Sequence, residues 1–161
     1  MKIYIIGGSG SGKSYLARRL SKHYQIEHYD LDDLQWDNQA EAYGVERPHE
    51  DRNAMLARIV AKEDWIIEGV YYQWVEKAFE MADIIYVLDI PLSRSRCRII
   101  KRFLRRKLGM EKGKKETLKS LYDLWKWTRE YQEKDMVKIR EMLLPYSEKV
   151  YVITDQNKVT K

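Results

Sequence analysis

Cysteine is nearly absent from the chain, since Cys97 is the only one among 161 residues. A single thiol excludes an intramolecular disulfide and fits a protein of the reducing cytoplasm. No apolar stretch approaches the length of a membrane span, so we expect no membrane partner. The apolar run at the N-terminus is too short for a signal peptide and leads straight into a glycine-rich turn. These absences together favour a cytoplasmic protein.

Internal repeats and low-complexity linkers are also absent, and the chain is long enough for a sizeable core. Hydrophobic residues make up 44% of the sequence and charged residues 34%, which does not match the compositions typical of disorder. We therefore expect a single domain over residues 1–161. The formal net charge of +5 at pH 7 permits acidic partners, among them nucleotides.

The most informative stretch lies near the N-terminus. Residues Gly7–Ser14 fill the pattern G-x-x-x-x-G-K-[ST], whose glycines turn backbone N–H groups toward phosphate oxygens. A strand pattern precedes this P-loop and a helical pattern follows it, so the positive end of the helix adds to the site. A flexible glycine-serine turn would explain the glycines but not Lys-Ser at this spacing. The candidate nucleotide-binding residues are Gly8, Gly10, Ser11, Gly12, Lys13, Ser14 and Tyr15.

A P-loop works with a metal ion and with acidic partners. Lys13 would reach the β- and γ-phosphates as a catalytic cation, and the Ser14 hydroxyl would hold Mg²⁺. Asp30 and Asp32 follow the second predicted strand, Gln25–Tyr29, on the ligand side of an open α/β sheet. One carboxylate could hold a water of the Mg²⁺ shell, and the other could accept the proton of a substrate hydroxyl. The alternative is a helix N-cap, a position that Asp favours.

Two further predicted strands also end in carboxylates. The third strand, residues 64–69, ends in Glu68 and Gly69. Glu68 is the expected second anchor of Mg²⁺, and Gly69 would let the backbone turn close to a substrate. The fourth strand, residues 82–91, is continuously apolar, as expected in a parallel sheet. Asp89 near its end is the rival metal anchor.

A substrate-covering insertion is expected between the second and third strands, at about residues 34–62. Arg47, Arg52 and Arg58 lie there, and a guanidinium matches phosphate and carboxylate geometry. We prefer Arg52 as the substrate-binding residue, although a solvated helix face is an equally good explanation for any one arginine. The aromatic residues Tyr71, Tyr72 and Trp74 could stack on a planar substrate or pack under a loop.

The second informative feature is the basic segment Arg94–Lys119, in which only Glu111 and Glu116 oppose the positive charges. It is consistent with a mobile lid whose arginines close over ATP, with a sequence-independent nucleic-acid patch, or with a solvated helix face. We favour a lid at about residues 102–117, with Arg102 and Arg105 as catalytic residues.

The last part of the chain predicts a long helix over residues 117–144 and a fifth strand over residues 149–154. We interpret Trp125, Trp127 and Tyr131 as core residues of that helix. Asn157 and Lys158 are followed by Val-Thr, so the guanine-reading pattern Asn-Lys-x-Asp is absent. This argues against a GTPase.

Taken together, these motifs resemble the P-loop kinases of the nucleoside-monophosphate kinase and shikimate kinase type. The chain also looks like the bacterial adenylate-kinase-like proteins labelled topology modulation proteins. The resemblance implies a three-layer α/β P-loop fold with five parallel strands in the order 2-3-1-4-5. It implies a metal-shell role for Asp30, a substrate role for Asp32, and lid positions from Arg98 to Arg106.

The activity implied by the resemblance is ATP- and Mg²⁺-dependent phosphoryl transfer to a small molecule or nucleotide. Two departures qualify it. Tyr15 replaces a small hydroxyl residue, and Glu68-Gly69 lacks the following Pro-Arg with which adenylate kinases bind AMP. The alternative is a nucleotide-binding regulator associated with DNA, a partner that no residue establishes. Either a monomer or a homodimer fits the sequence.

Overall fold

The chain folds around a parallel sheet of five strands. In a computed structural model, the described residues are 1–37, 44–110, 117–155 and 159. The strands are β1 (Lys2–Gly7), β2 (His28–Asp30), β3 (Trp65–Gly69), β4 (Ile84–Leu88) and β5 (Val150–Ile153). Their order across the sheet is β2-β3-β1-β4-β5, and every pair is parallel. The predicted fold class and strand order are therefore confirmed.

Helices cover both faces of this sheet. They are α1 (Lys13–Tyr24), α2 (Leu31–Gln35), α3 (His49–Val60), α4 (Glu76–Met81), α5 (Leu92–Lys107), α6 (Leu118–Glu130) and α7 (Met136–Met142). A π-helical turn, Tyr131–Asp135, joins α6 to α7, and a 3₁₀ helix, Leu144–Lys149, leads into β5.

The side chains of β1 point alternately to the two faces of the sheet, and the core accordingly has two layers. Tyr4 and Ile6 face one side, with α2, α3, α4 and α7, whereas Ile3 and Ile5 face the α1 side. All four side chains are at most 1% exposed. A strand buried on both faces is apolar at every position, which is why the sequence pattern of β1 is continuous rather than alternating.

The parallel register brings the candidate functional segments to one edge of the sheet. Ile6 of β1 pairs with Gly69 of β3, and Asp30 of β2 lies opposite Glu68. Because all strands run the same way, their carboxyl ends meet at this edge, where open α/β sheets bind ligands.

The sequence did not predict α4, whose six residues are too few for a clear helical period. The predicted helix over residues 117–144 is present, but the π-helical turn interrupts it. Tyr131 is a core residue as predicted, at 2% exposure. The core interpretation of Trp125 and Trp127 is wrong, because the two residues are 39% and 37% exposed.

The expected insertion contains α2 and α3, and its residues 38–43 lie outside the described part of the chain. The first residues of the expected lid, 102–107, are the last turns of α5, and residues 111–116 also lie outside the described part. Within the described ranges, no helix has both the length and the apolar character needed to cross a bilayer.

Replacing Phe79 tests the packing of α4. Its ring is 1% exposed and meets the Tyr4 ring edge-on, with ring centroids 4.8 Å apart. We expect Phe79→Ala to lower the free energy of unfolding by about 3–5 kcal/mol, measured by urea denaturation. Leu108→Ala is the control, because Leu108 is 73% exposed, and it should change stability by less than about 0.5 kcal/mol. Equal effects of the two substitutions would contradict this packing.

Candidate active site

The P-loop takes its shape from two glycines in left-handed conformation. Gly10 has φ of 74° and Gly12 has φ of 96°, values that side chains with a Cβ disfavour. Gly12 is the N-cap of α1, and no side chain caps the first turn of that helix. The N–H groups of this turn have no intrahelical acceptors, so they can bind an anion.

Lys13 is buried in this loop. Its side chain is 9% exposed, and Nζ donates a hydrogen bond of 3.1 Å to the Gly8 carbonyl. Burial lowers the pKa of the Lys13 ammonium, and the nearby carboxylates Glu68, Asp30 and Asp32 oppose that shift, in this order. The site therefore holds a buried cation between a turn of backbone and a group of acids.

Asp30 and Glu68 lie side by side on adjacent strands at the same register. Burial and, after it, the negative charge of Glu68 together raise the pKa of Asp30 to about 7. Asp30 is also the N-cap of α2, since its Oδ1 accepts a hydrogen bond of 2.9 Å from the Asp32 N–H. The alternative of a helix N-cap is thus confirmed for Asp30.

Buried polar groups of this site suit a phosphate and a magnesium ion. Glu68 is 2% exposed, and its Oε1 has no hydrogen-bond partner among the described residues. The Ser11 hydroxyl is likewise buried and without a partner there. No three His, Cys, Asp or Glu side chains of the described ranges form a complete metal site. Mg²⁺ commonly combines one or two carboxylates with substrate phosphates and water, so the residues present fit this ion.

Asp32 faces a second cluster, which we call the acceptor side. The Tyr71 hydroxyl donates a hydrogen bond of 2.8 Å to Asp32 Oδ1. Burial and the charge of Asp32 raise the pKa of Tyr71, which therefore keeps its proton. The Tyr71 ring lies 5.4 Å from the ring of Trp74, and Tyr4 donates a bond of 3.0 Å to the Tyr71 carbonyl.

Arg52 of α3 completes the acceptor side. Its guanidinium lies 4.2 Å from the centre of the Trp74 ring and donates a bond of 3.1 Å to Gln35 Oε1. The side chain is buried, at 7% exposure, and burial lowers its pKa. The guanidinium also donates bonds of 3.3 Å and 3.2 Å to Asn53 Oδ1, and the charge of Glu46 opposes the lowering of its pKa. Within the described ranges Arg52 forms no ion pair, so its buried guanidinium can bind an anion.

The arginines of α5 divide into inner and outer ones. Arg98 donates bonds of 3.2 Å and 2.9 Å to the carbonyls of Gly10 and Ser11, so it fixes the P-loop. Arg102 is close enough that its charge lowers the pKa of Lys13. Arg105 lies on the same face of α5, two turns beyond Arg98 and near the end of the helix, where it is exposed. The sequence predicts a lid position for all three arginines, whereas Arg98 contacts the P-loop directly.

Several other predicted residues have structural partners. Asp89 pairs with Arg140 and accepts a bond from Gln132, which removes the reason to prefer it as a metal anchor. The Tyr15 ring is 50% exposed beside Arg19. A Cβ on Gly69 would lie 2.8 Å from Leu31 Cδ1, so close packing already accounts for that glycine.

Arg47 and Arg58 do not compete with Arg52 as anion-binding residues. Arg47 donates to the carbonyls of Leu34 and Trp36, and it thereby holds the backbone after α2. Arg58 is exposed on α3. The preference for Arg52 therefore agrees with its burial.

Two side chains of the site were not identified from the sequence. Gln35 binds Arg52, and the Tyr71 hydroxyl binds Asp32. The aromatic stretch after β3 was the one signal for Tyr71, and it did not distinguish packing from a polar role. Nothing in the sequence pattern distinguishes Gln35 from a surface residue.

Among curated proteins, the chain is similar to a protein of Bacillus subtilis. YqaC of Bacillus subtilis (strain 168), an uncharacterized protein, is 30% identical over 106 residues. The match covers 63% of this chain, and the chain spans 58% of the length of that protein. No protein-family model matches the chain.

Solved structures with the same fold include a gluconokinase and shikimate kinases. A gluconokinase from Sinorhizobium meliloti 1021 has a TM-score of 0.54 at 16% identity, covering 98% of this chain and 86% of that one. A shikimate kinase from Acinetobacter baumannii, solved with shikimate, has a TM-score of 0.56 at 19% identity, covering 96% and 82%. The shikimate kinase from Bacteroides thetaiotaomicron also has a TM-score of 0.56, at 16% identity, covering 97% and 86%.

At these identities the structural matches show the fold alone. The chain thus has the three-layer α/β fold seen in P-loop kinases of the shikimate kinase and gluconokinase type. The narrower resemblance to topology modulation proteins stays a prediction.

The raised pKa of Asp30 gives a test by pH. The carboxyl ionises near pH 3.8 when unperturbed and near pH 7 in the fold, so the folded protein holds a proton that the unfolded chain has lost between those values. The free energy of unfolding should fall as pH rises through this window, by up to about 1.4 kcal/mol per pH unit. Asp30→Asn keeps an N-cap residue but removes the charge. We expect the variant to gain stability relative to the wild type from pH 5 to pH 8, measured by urea denaturation.

Asp123→Asn on the exposed side of α6 is the matched control, and its difference from the wild type should not change with pH. A difference for Asp30→Asn that is the same at both pH values would contradict the account of a buried, protonated Asp30.

Proposed function

We propose that the protein transfers the γ-phosphoryl group of ATP to a small-molecule or nucleotide acceptor and that it requires Mg²⁺. The observation that carries the proposal is the buried Lys13, which is held by the Gly8 carbonyl and faces Glu68, Asp30 and Asp32. A cation, an anion-binding turn and several carboxylates in one buried place are what phosphoryl transfer needs. The names of the structural neighbours, a gluconokinase and shikimate kinases, support the same class of reaction.

Each residue of the P-loop side has a proposed role. Backbone N–H groups from Gly8 to Tyr15 bind the phosphates, and Lys13 stabilises charge on the transferred group. Ser14, Asp30 and Glu68 would hold Mg²⁺, which neutralises phosphate charge when bound. Arg102 is the proposed second cation, because it lies near Lys13. Arg105, which is exposed, would have to be brought in by lid closure.

Asp32 is the proposed acceptor residue. It orients the acceptor hydroxyl and accepts its proton as the new oxygen–phosphorus bond forms and the bond to ADP breaks. If the acceptor is itself a phosphate, no base is needed and Asp32 only positions it. Gly69 shapes the backbone beside this acceptor.

Arg52 suggests that the acceptor carries an anionic group. A guanidinium buried against Trp74 gains from a carboxylate or a phosphate, because within the described ranges Glu46 acts on it by charge but forms no ion pair with it. We therefore infer a hydroxylated carboxylic acid or a phosphorylated acceptor rather than a neutral sugar.

The alternative is a DNA-associated regulator. It requires an exposed basic surface, yet Arg98 and Arg102 of the basic segment turn toward the P-loop. Steeply salt-dependent DNA binding would favour this alternative.

The direct test is phosphoryl transfer to a panel of shikimate, gluconate, nucleosides and nucleoside monophosphates, followed by ³¹P NMR. We expect a new phosphate ester with at least one acceptor.

Lys13→Met should slow the transfer by about 100-fold or more, because it removes the buried cation. Asp32→Asn should slow transfer to a hydroxyl by about 100-fold while ATP binding is kept. Turnover unchanged by Lys13→Met would contradict the proposed mechanism.

Arg52 can be tested with the panel member that raises the melting temperature in the presence of Mg²⁺ and a non-hydrolysable ATP analogue. Arg52→Met should weaken binding of an anionic acceptor by about tenfold or more, because a charge-assisted hydrogen bond is lost. Arg58→Met on the same helix is the control, since Arg58 is exposed. If the Arg52→Met variant binds the anionic acceptor as tightly as the wild type does, Arg52 is not part of the acceptor site.

A further inference from the structure

Three tyrosine hydroxyls fix the segment that follows β3. Tyr131 donates a hydrogen bond of 2.9 Å to the Val70 carbonyl, and Tyr4 donates one of 3.0 Å to the Tyr71 carbonyl. Tyr72 donates a bond of 2.8 Å to Asp135. This segment carries the Tyr71 hydroxyl that binds Asp32. The position of Asp32 therefore depends on how the backbone of Val70 and Tyr71 is held.

Tyr131 differs from the other two because it also contacts the P-loop. A Cβ built on Gly8 would lie 3.1 Å from Tyr131 Cδ1 and 3.6 Å from Cε1, so the ring packs directly against the Gly8 backbone. The ring is 2% exposed and has core side chains around it. A closely packed ring has little room to move, so a displacement of the Gly8 backbone shifts the ring and with it the hydroxyl that binds the Val70 carbonyl.

The secondary structure around Tyr131 is unusual. Tyr131 is the first residue of the π-helical turn, and π-helical turns inside helices occur frequently at functional sites. Gln132 and Asp135 of the same turn bind Asp89 and Tyr72, which follow β4 and β3. The turn therefore lies across the carboxyl edge of the sheet, where the P-loop and the acceptor side meet.

We propose that Tyr131 is a positioning residue that couples the P-loop to the acceptor side. Its ring packs against the Gly8 backbone, and its hydroxyl donates a hydrogen bond to the Val70 carbonyl. Through Tyr71 that carbonyl sets the position of Asp32. The assignment of the P-loop to the phosphate donor and of the Asp32 cluster to the acceptor rests on the proposed function. The coupling of the two segments through Tyr131 does not depend on that assignment.

The coupling can be tested without any ligand by a double-mutant cycle. Gly8→Ala pushes on the Tyr131 ring, and Gly8 is not among the glycines with positive φ, so the backbone tolerates the change. Tyr131→Phe keeps the ring and removes the hydroxyl. The readout is the ¹⁵N and ¹H chemical shift of the Tyr71 amide, whose peptide unit contains the Val70 carbonyl.

We expect Gly8→Ala to shift the Tyr71 amide in the wild-type background. In the Tyr131→Phe background that shift should fall to about half or less, which is the signature of interacting sites. Tyr72→Phe is the matched control, since it removes a hydroxyl bond of the same segment without contact to Gly8, and it should leave the shift intact. Equal shifts in the wild-type and Tyr131→Phe backgrounds, or none in either, would overturn the proposal.

A second perturbation uses Mg²⁺ and the non-hydrolysable analogue AMP-PNP on the full chain. Binding should shift the Tyr71 amide in the wild type, and in Tyr131→Phe it should do so by half or less. If AMP-PNP does not bind the wild type, the proposed function fails, while the ligand-free cycle still decides whether Tyr131 couples the two sides.

Discussion

The burial of the Lys13 ammonium is the constraint on which the rest of the site depends. A buried cation is costly unless it is hydrogen-bonded and balanced by negative charge. The Gly8 carbonyl supplies the bond, and Glu68, Asp30 and Asp32 supply the charge. Burial, and after it the negative charge of Glu68, raises the pKa of Asp30 to about 7. A phosphate would pair with the Lys13 ammonium, and a metal ion would offset the charge of the carboxylates, which is why the proposed function places both groups here.

The two halves of the site are built in different ways. One continuous stretch forms the P-loop, and the local conformations of Gly10 and Gly12 give its shape. The acceptor side is assembled from separate segments that only the fold brings together, through the bonds from Tyr71 to Asp32 and from Arg52 to Gln35. Tyr131 touches both halves. Many functions share this fold, so these contacts, rather than the architecture, indicate what the site can do.

The same difference explains what could be predicted from the sequence. The P-loop and the five strands have local signals, namely glycine spacing and apolar runs, and they were located within a few residues. The helix α4 was too short for a periodic signal, and the bonds of Tyr71 and Gln35 depend on tertiary structure. Trp125 and Trp127 were misassigned because a broad apolar stripe on α6 does not reveal which part of it is covered. Arg98 was placed in a lid because its charge, rather than its bonds to Gly10 and Ser11, is visible in the sequence.

The most direct test of the central claim is a calorimetric titration of the full chain with AMP-PNP, with and without Mg²⁺. The account predicts saturable binding of one nucleotide per chain that is strengthened by Mg²⁺ and lost in the Lys13→Met variant. Circular dichroism should show that both the wild type and the variant are folded. Binding that is equally strong in the Lys13→Met variant, or no binding by the folded wild type, would contradict a nucleotide-phosphate site at the buried Lys13.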